Sequence, residues 1–149
     1  MNAQPFRVLH HVCIVVHDLE RAQTWYESIG MGPWTDYPKG APYVRFEVPD
    51  RAASEAMRYK CLDLDNVQIQ LCQPPLLDCP QRRFLDTHGE GVYHLGFEVP
   101  DCNAAEAQMA AHGVAVTARG RRGDGSGFSY FDTRERAGVT LEVRKTAPA

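Results

Sequence analysis

Two stretches of the chain share one pattern of apolar and polar positions: residues 11–31 align without a gap on residues 94–114. The first reads His11-Val-Cys-Ile-Val-Val-His-Asp18-Leu-Glu-Arg-Ala22 and continues to Gly30-Met31. The second reads His94-Leu-Gly-Phe-Glu-Val-Pro-Asp101-Cys-Asn-Ala-Ala105 and continues to Gly113-Val114. Each copy opens with a short apolar run rich in β-branched residues, as a strand requires. An Asp able to cap a helix follows, then apolar positions at intervals of three and four, then a Gly that stops the helix. The first helix would turn Leu19, Ala22, Trp25, Tyr26 and Ile29 toward a sheet, and the second the smaller stripe Ala104, Ala105, Ala107, Met109 and Ala111.

Short strands separated by turn residues follow each helix. In the first half they are Tyr43 to Val48, Met57 to Leu64 and Val67 to Cys72, punctuated by Pro49-Asp50 and Asp65-Asn66. In the second they are Val114 to Ala118, Ser129 to Asp132 and Val139 to Arg144, with a Gly-rich loop, Gly120 to Gly127, between the first two. The stretch Gln73 to Glu90 carries three prolines and a short helical segment, Arg82 to Thr87, and reads as a connector. The expected fold class is therefore α+β, with helices on the outer face of a sheet. The organisation is one domain over 1–149, with module one at about 6–74, a linker at about 75–91 and module two at about 92–145.

Side-chain parity in four of these strands sets up the candidate chemistry, because successive strand residues point to opposite faces. Val12, Ile14 and Val16 form an apolar set that leaves His11 on the other face, and Leu95, Phe97 and Val99 leave His94 there. Val67, Ile69 and Leu71 leave Gln70, and Val139, Leu141 and Val143 leave Glu142. Two imidazoles, an amide oxygen and a carboxylate make a mixed nitrogen and oxygen shell suited to a divalent ion. Each half offers a His at the start of its first strand and an oxygen donor in its last.

Composition narrows the function classes. A length of 149 residues leaves no room for a separate cofactor domain, and a net charge of −3 provides no basic field for nucleic acid or anionic lipid. No apolar run approaches the length of a membrane span. The opening Met1-Asn2-Ala3-Gln4-Pro5 lacks signal-peptide character, so a cytoplasmic protein is expected. Five cysteines with no C-x-x-C pair read as small core side chains rather than a disulfide scaffold or zinc knuckle.

The chain resembles the vicinal oxygen chelate superfamily, which includes glyoxalase I, methylmalonyl-CoA epimerase, extradiol dioxygenases and bleomycin and fosfomycin resistance proteins. The resemblance is carried by His11-Val-Cys-Ile-Val-Val-His-Asp-Leu-Glu-Arg-Ala, by Val67-Gln-Ile-Gln-Leu-Cys-Gln-Pro and by Gly138-Val-Thr-Leu-Glu-Val. The segment Phe84-Leu-Asp-Thr-His-Gly-Glu-Gly-Val-Tyr-His-Leu-Gly-Phe-Glu-Val is most similar to methylmalonyl-CoA epimerase. It implies two paired βαβββ modules forming a curved mixed sheet around one divalent metal ion (Co, Ni, Mn, Zn, Mg or Fe) held by His11, Gln70, His94 and Glu142. It implies a metal-dependent isomerase or lyase in which the ion stabilises an enolate while carboxylates move a proton next to a carbonyl. Glu142 matches one of the two epimerase bases and Glu55 is the nearest match for the other, with Glu47 as a competitor. A small-molecule substrate of the acyl-CoA kind and a homodimer are implied too. The same shell would also suit an extradiol-type dioxygenase using Fe(II) on His11, His94 and Glu142, or a thiol transferase. A non-catalytic drug or metabolite binder of the bleomycin resistance type is the reading from another class.

Other residues carry blander readings. His10 has the parity of Val12 and reads as packing or edge polarity, while His17, His88 and His112 fall in turns or at a helix end. Arg119-Gly-Arg-Arg-Gly-Asp-Gly-Ser-Gly127 either wraps phosphates or is a hairpin connection. Trp34, Tyr37 and Tyr43 either line a substrate mouth or pack in the core.

Overall fold

Asp18 and Asp101 stand where strand gives way to helix in a computed structural model that describes residues 4–149. The first N–H groups of a helix have no partner within it. Asp18 Oδ1 accepts from the Arg21 N–H at 3.0 Å at the start of α1 (Leu19–Ser28). Asp101 Oδ1 accepts from Asn103 at 2.9 Å and Ala104 at 3.1 Å at the start of α4 (Cys102–Ala111). Asp101→Ala is expected to cost about 1 kcal/mol of stability, read from the midpoint of urea unfolding at unchanged slope.

The fold is mixed α+β, with nine strands and five helices among the described residues, and the chain divides into two compact units. One unit comprises His11–Lys39 and Asp50–Tyr93. Its sheet runs β2 (Thr35–Asp36), β4 (Arg58–Asp63), β5 (Gln68–Gln73), β1 (Val8–Val15), with β1 and β5 parallel and the other pairs antiparallel. On one face Leu19, Ala22 and Tyr26 of α1 pack against Val16, Trp34, Leu62 and Leu71. Trp25 and Ile29, expected in that stripe, are exposed. The opposite face is capped at one end by α3 (Pro80–His88), whose Phe84 and Leu85 pack on Cys13, Val15 and Cys72. The linker region thus carries a helix that seals part of the face on which His11 and Gln70 lie. The short α2 (Arg51–Glu55) was not expected; Asp50, read as turn punctuation, caps it by accepting from the Ala53 N–H at 2.8 Å.

The other unit comprises the described residues up to His10, Gly40–Pro49 and His94–Ala149. Its sheet runs β6 (Gly91–Glu98), β9 (Thr140–Lys145), β8 (Gly127–Phe131), β7 (Val116–Arg121), β3 (Arg45–Glu47), with β6 and β9 parallel. Cys102, Ala105 and Met109 of α4 pack on Val99, Phe131 and Val143, while Ala104, Ala107 and Ala111 stay exposed. The strand expected over Tyr43 to Val48 in the first half shrinks to β3 and pairs with β7, in this unit. A hydrophobic run announces a strand but not its partner. The expected Gly-rich loop is shorter than read, because β7 continues through Arg121 and β8 begins at Gly127. Gly120 is strand backbone there: a Cβ on it would lie 2.6 Å from the Phe128 ring and 2.9 Å from that of Tyr43. A one-turn helix, α5 (Arg134–Ala137), precedes β9.

All five cysteines are buried, as expected of small core side chains. No helix among the described residues is long and apolar enough to cross a membrane.

Candidate metal centre

His94 and Glu142 meet because β6 and β9 run parallel in a register that sets His94 beside Thr140 and Gly96 beside Glu142. Side chains at 94, 96, 140 and 142 therefore fall on one face, and Gly96 adds none to separate the other two. His94 Nε2 lies 2.9 Å from Glu142 Oε2. The two residues are 1% and 5% exposed, so water does little to solvate that carboxylate. Tyr130, the register partner of Glu142 on β8, meets the His94 imidazole edge to face with ring centroids 5.1 Å apart. Burial raises the Tyr43 phenol above its ordinary pKa. Arg122 opposes that rise, Glu142 adds to it and Arg144 opposes it, so Tyr43 lies within the field of Glu142.

The other unit repeats this register. β1 and β5 are parallel, with His11 beside Gln68 and Cys13 beside Gln70. Gln70 is thus displaced from His11 by the same two residues that displace Glu142 from His94. His11 and Gln70 are each 2% exposed. Gln70 Nε2 donates to Gln68 Oε1 at 2.8 Å, and Gln68 Nε2 donates to Asp63 Oδ1 at 2.9 Å. This relay commits the nitrogen end of the Gln70 amide, so its carbonyl oxygen is the end that would hold a cation. Asp63 and Gln68 were not singled out in the sequence. The alternation Gln68, Gln70 on one strand was the available signal.

The donor set suits a divalent ion. Two donors about 2.1 Å from a shared ion, on adjacent positions of an octahedral shell, stand about 3 Å apart. The His94 to Glu142 separation has that size.

The proposed second bases occupy different surroundings. Glu55 ends α2 on the surface, where its Oε1 lies 3.0 Å from Arg51 Nε. Glu47 is held by Arg45 and Arg119. Its register runs through Arg119 to Ser129 and Val143, which puts it on the α4 face of the sheet, opposite Glu142. Glu47 is therefore no competitor for proton transfer beside Glu142.

The remaining candidates resolve as follows. His10 Nδ1 lies 3.3 Å from Arg144 Nη1. His88 stacks on Phe84 with centroids 4.5 Å apart, and His17 and His112 are exposed. Arg119 and Arg121 turn to Glu106 on α4, while Arg122 donates to the Ala41 carbonyl at 2.8 Å and lies over the Tyr43 ring at 4.4 Å. The arginine-rich segment is thus a hairpin connection whose cations have partners within the fold. Trp34 is core, Tyr37 meets the Tyr59 ring at a tilt of 43° with centroids 5.5 Å apart, and Tyr43 is half-buried.

Comparison with known proteins gives a consistent picture. Residues 10–131 match the family model described as the glyoxalase/bleomycin resistance protein/dioxygenase superfamily. An uncharacterized protein of Bacillus subtilis (strain 168), YqjC, is 24% identical over 140 residues, spanning 91% of this chain and 89% of that protein. The crystal structure of methylmalonyl-CoA epimerase from Mycobacterium tuberculosis superposes with a TM-score of 0.70 at 27% identity, covering 99% of this chain and 93% of the other. A Streptomyces coelicolor methylmalonyl-CoA epimerase variant in complex with 2-nitronate-propionyl-CoA has the same fold, with a TM-score of 0.72 at 23% identity over 96% of this chain and 99% of the other.

Proposed function

Because the chain belongs to the glyoxalase/bleomycin resistance protein/dioxygenase superfamily, we propose that it is a metal-dependent isomerase that moves a proton at the carbon next to a carbonyl, with a divalent ion held by His11, Gln70, His94 and Glu142. The observation that carries this reading is the repeated register: each unit sets a buried His and, two residues further along the paired strand, a buried oxygen donor. His11, His94 and Glu142 also make up a set of buried side chains suited to a metal ion. The epimerase neighbours, solved in complex with methylmalonyl-CoA and with 2-nitronate-propionyl-CoA, support an acyl thioester as the substrate class.

The ion would be a Lewis acid that draws electron density from the substrate carbonyl and so acidifies the neighbouring carbon. Glu142 would take the proton from that carbon; its buried position excludes water, which strengthens its interaction with the positive charge around it. Gln70, fixed by Gln68 and Asp63, would hold its oxygen toward the same centre without competing for the proton, since an amide is not a base near neutral pH. Glu55 would be the second base that the resemblance implies. The homodimer implied by the resemblance and the cytoplasmic location expected from the sequence belong to the same proposal.

The test is solvent deuterium incorporation into acyl-CoA thioesters by protein loaded with each candidate metal, alongside metal analysis of untagged protein. Label entering the carbon next to the thioester carbonyl is the expected result. Oxygen uptake with catechols and no label would assign dioxygenase chemistry instead, and tight ligand binding with no metal would assign sequestration. Glu55→Gln is expected to slow inversion about a hundredfold while leaving exchange of one enantiomer's proton measurable. Unchanged inversion removes Glu55 from the mechanism and leaves Glu142 as the one base.

A further inference from the structure

The face of the sheet that carries His94 and Glu142 also carries a line of aromatic rings that the proton-transfer chemistry does not use. From His94 the ring contacts run to Tyr130 at 5.1 Å, from Tyr130 to Phe128 at 5.3 Å, and from Phe128 to Tyr43 at 5.6 Å. Tyr43 also meets Phe46 at 5.2 Å. Strand register accounts for the line. Tyr130 pairs with Glu142, Phe128 with Arg144 and Gly120, and Gly120 with Phe46, so these residues share one face. Gly120 leaves the sheet bare beneath the Phe128 and Tyr43 rings, where a Cβ would collide with both.

None of the four aromatic residues belongs to a buried core cluster, and all four are partly exposed. Two cations near these rings, Arg144 and Arg122, have partners within the fold. Arg144 Nε lies 3.3 Å from Glu98, and Arg122 is spent on the Ala41 carbonyl, the Tyr43 hydroxyl and the Tyr43 ring. A second carboxylate on the substrate would therefore meet aromatic faces, whose quadrupole repels an anion, beside two guanidiniums that already have partners. An apolar planar group would meet rings set for edge and face contacts.

We propose that Tyr130, Phe128, Tyr43 and Phe46 form the acyl subsite, and that the substrate carries an aryl or similarly planar apolar group on the carbon that exchanges its proton, rather than a second carboxylate. This substrate class rests on the isomerase reading above.

Three thioesters that differ only in one substituent on that carbon test it: 2-phenylpropionyl-CoA (phenyl), methylmalonyl-CoA (carboxylate) and propionyl-CoA (hydrogen). Binding to metal-loaded protein is followed by calorimetric titration, and deuterium exchange is followed separately by mass spectrometry. The phenyl thioester is expected to bind about tenfold or more tightly than the other two, and Phe128→Ala is expected to shrink that preference to about threefold or less. Equal affinities, preference for methylmalonyl-CoA, or a phenyl preference that survives Phe128→Ala would overturn the assignment. The two readings fail separately: exchange without phenyl preference sinks the subsite and leaves the isomerase. A Phe128-dependent phenyl preference with no exchange of any thioester sinks the isomerase and leaves the subsite.

Discussion

Glu142→Gln is expected to lower deuterium exchange by about a hundredfold to ten-thousandfold while the protein still retains its metal. The substitution preserves shape and an oxygen donor, as Gln70 supplies at the equivalent register of the other unit. It removes the capacity to accept a proton. His94→Ala acts on the other link, since it deletes a nitrogen donor and leaves Glu142 buried without the imidazole 2.9 Å away. Metal content and exchange should then fall together, with metal affinity reduced by about a hundredfold or more. Plasma mass spectrometry of dialysed protein beside the exchange rate separates the two cases. If Glu142→Gln kept full exchange, Glu142 would be a ligand only and the base would lie elsewhere. If His94→Ala kept its metal, the ion would not be bound through this register at all.

These experiments rest on features that could be read from the sequence because the strand period leaves little freedom. Once His11 and Gln70, or His94 and Glu142, lie in strands whose apolar residues alternate with them, their parity follows, and the register of each parallel pair sets its two residues on one face. The caps Asp18 and Asp101 were legible for a similar reason: a short carboxylate before a helical pattern has few better partners than the orphan N–H groups. What escaped depended on pairing at a distance. Residues Tyr43 to Val48 read as a strand of the first half, yet Arg45–Glu47 pairs with β7, a choice that only the register of Phe46 against Gly120 reveals. The same applies to Glu47, whose sequence position made it a rival base and whose pairing with Arg119 puts it on the α4 face. The helical stripes were half right. Trp25 and Ile29 have the spacing of Leu19 and Tyr26 but are exposed, so periodicity overestimated the buried arc. Proline punctuation hid α3 in part, although Pro80 stands in its first turn, where a proline costs a helix nothing.

Glu106→Gln is expected to cost about 2 kcal/mol of stability at neutral pH, a value that follows from what one carboxylate holds together. Glu106 Oε1 accepts from Arg121 Nη2 at 2.8 Å and from the Ser129 hydroxyl at 2.6 Å, and Oε2 accepts from Arg119 Nη2 at 3.0 Å. Arg121 in turn donates to the Asn103 side chain at 3.1 Å and to the Phe128 carbonyl at 2.6 Å, so α4, β7 and β8 are tied through one ion-pair network. Removing one partner of a fully buried pair costs about 3–5 kcal/mol. The value here is smaller because the Glu106 side chain is 15% exposed and Arg119 keeps Glu47 as a second partner. Burial pushes the Glu106 carboxyl up, but the hydrogen bonds from Arg119 and Ser129, with the charge of Arg121, outweigh it and hold the carboxyl below its ordinary value of 4.5. A group whose folded pKa is depressed stabilises fully above its unfolded value, and that contribution disappears as pH falls through the folded value. Urea unfolding of wild type and Glu106→Gln should therefore differ most near pH 7 and converge once the pH drops well under 4.5. A constant difference across that range would assign the loss to packing rather than charge. Because Ser129 sits between Phe128 and Tyr130 on β8, the variant should also loosen the strand that carries the aromatic subsite, weakening phenyl thioester binding before it affects metal content.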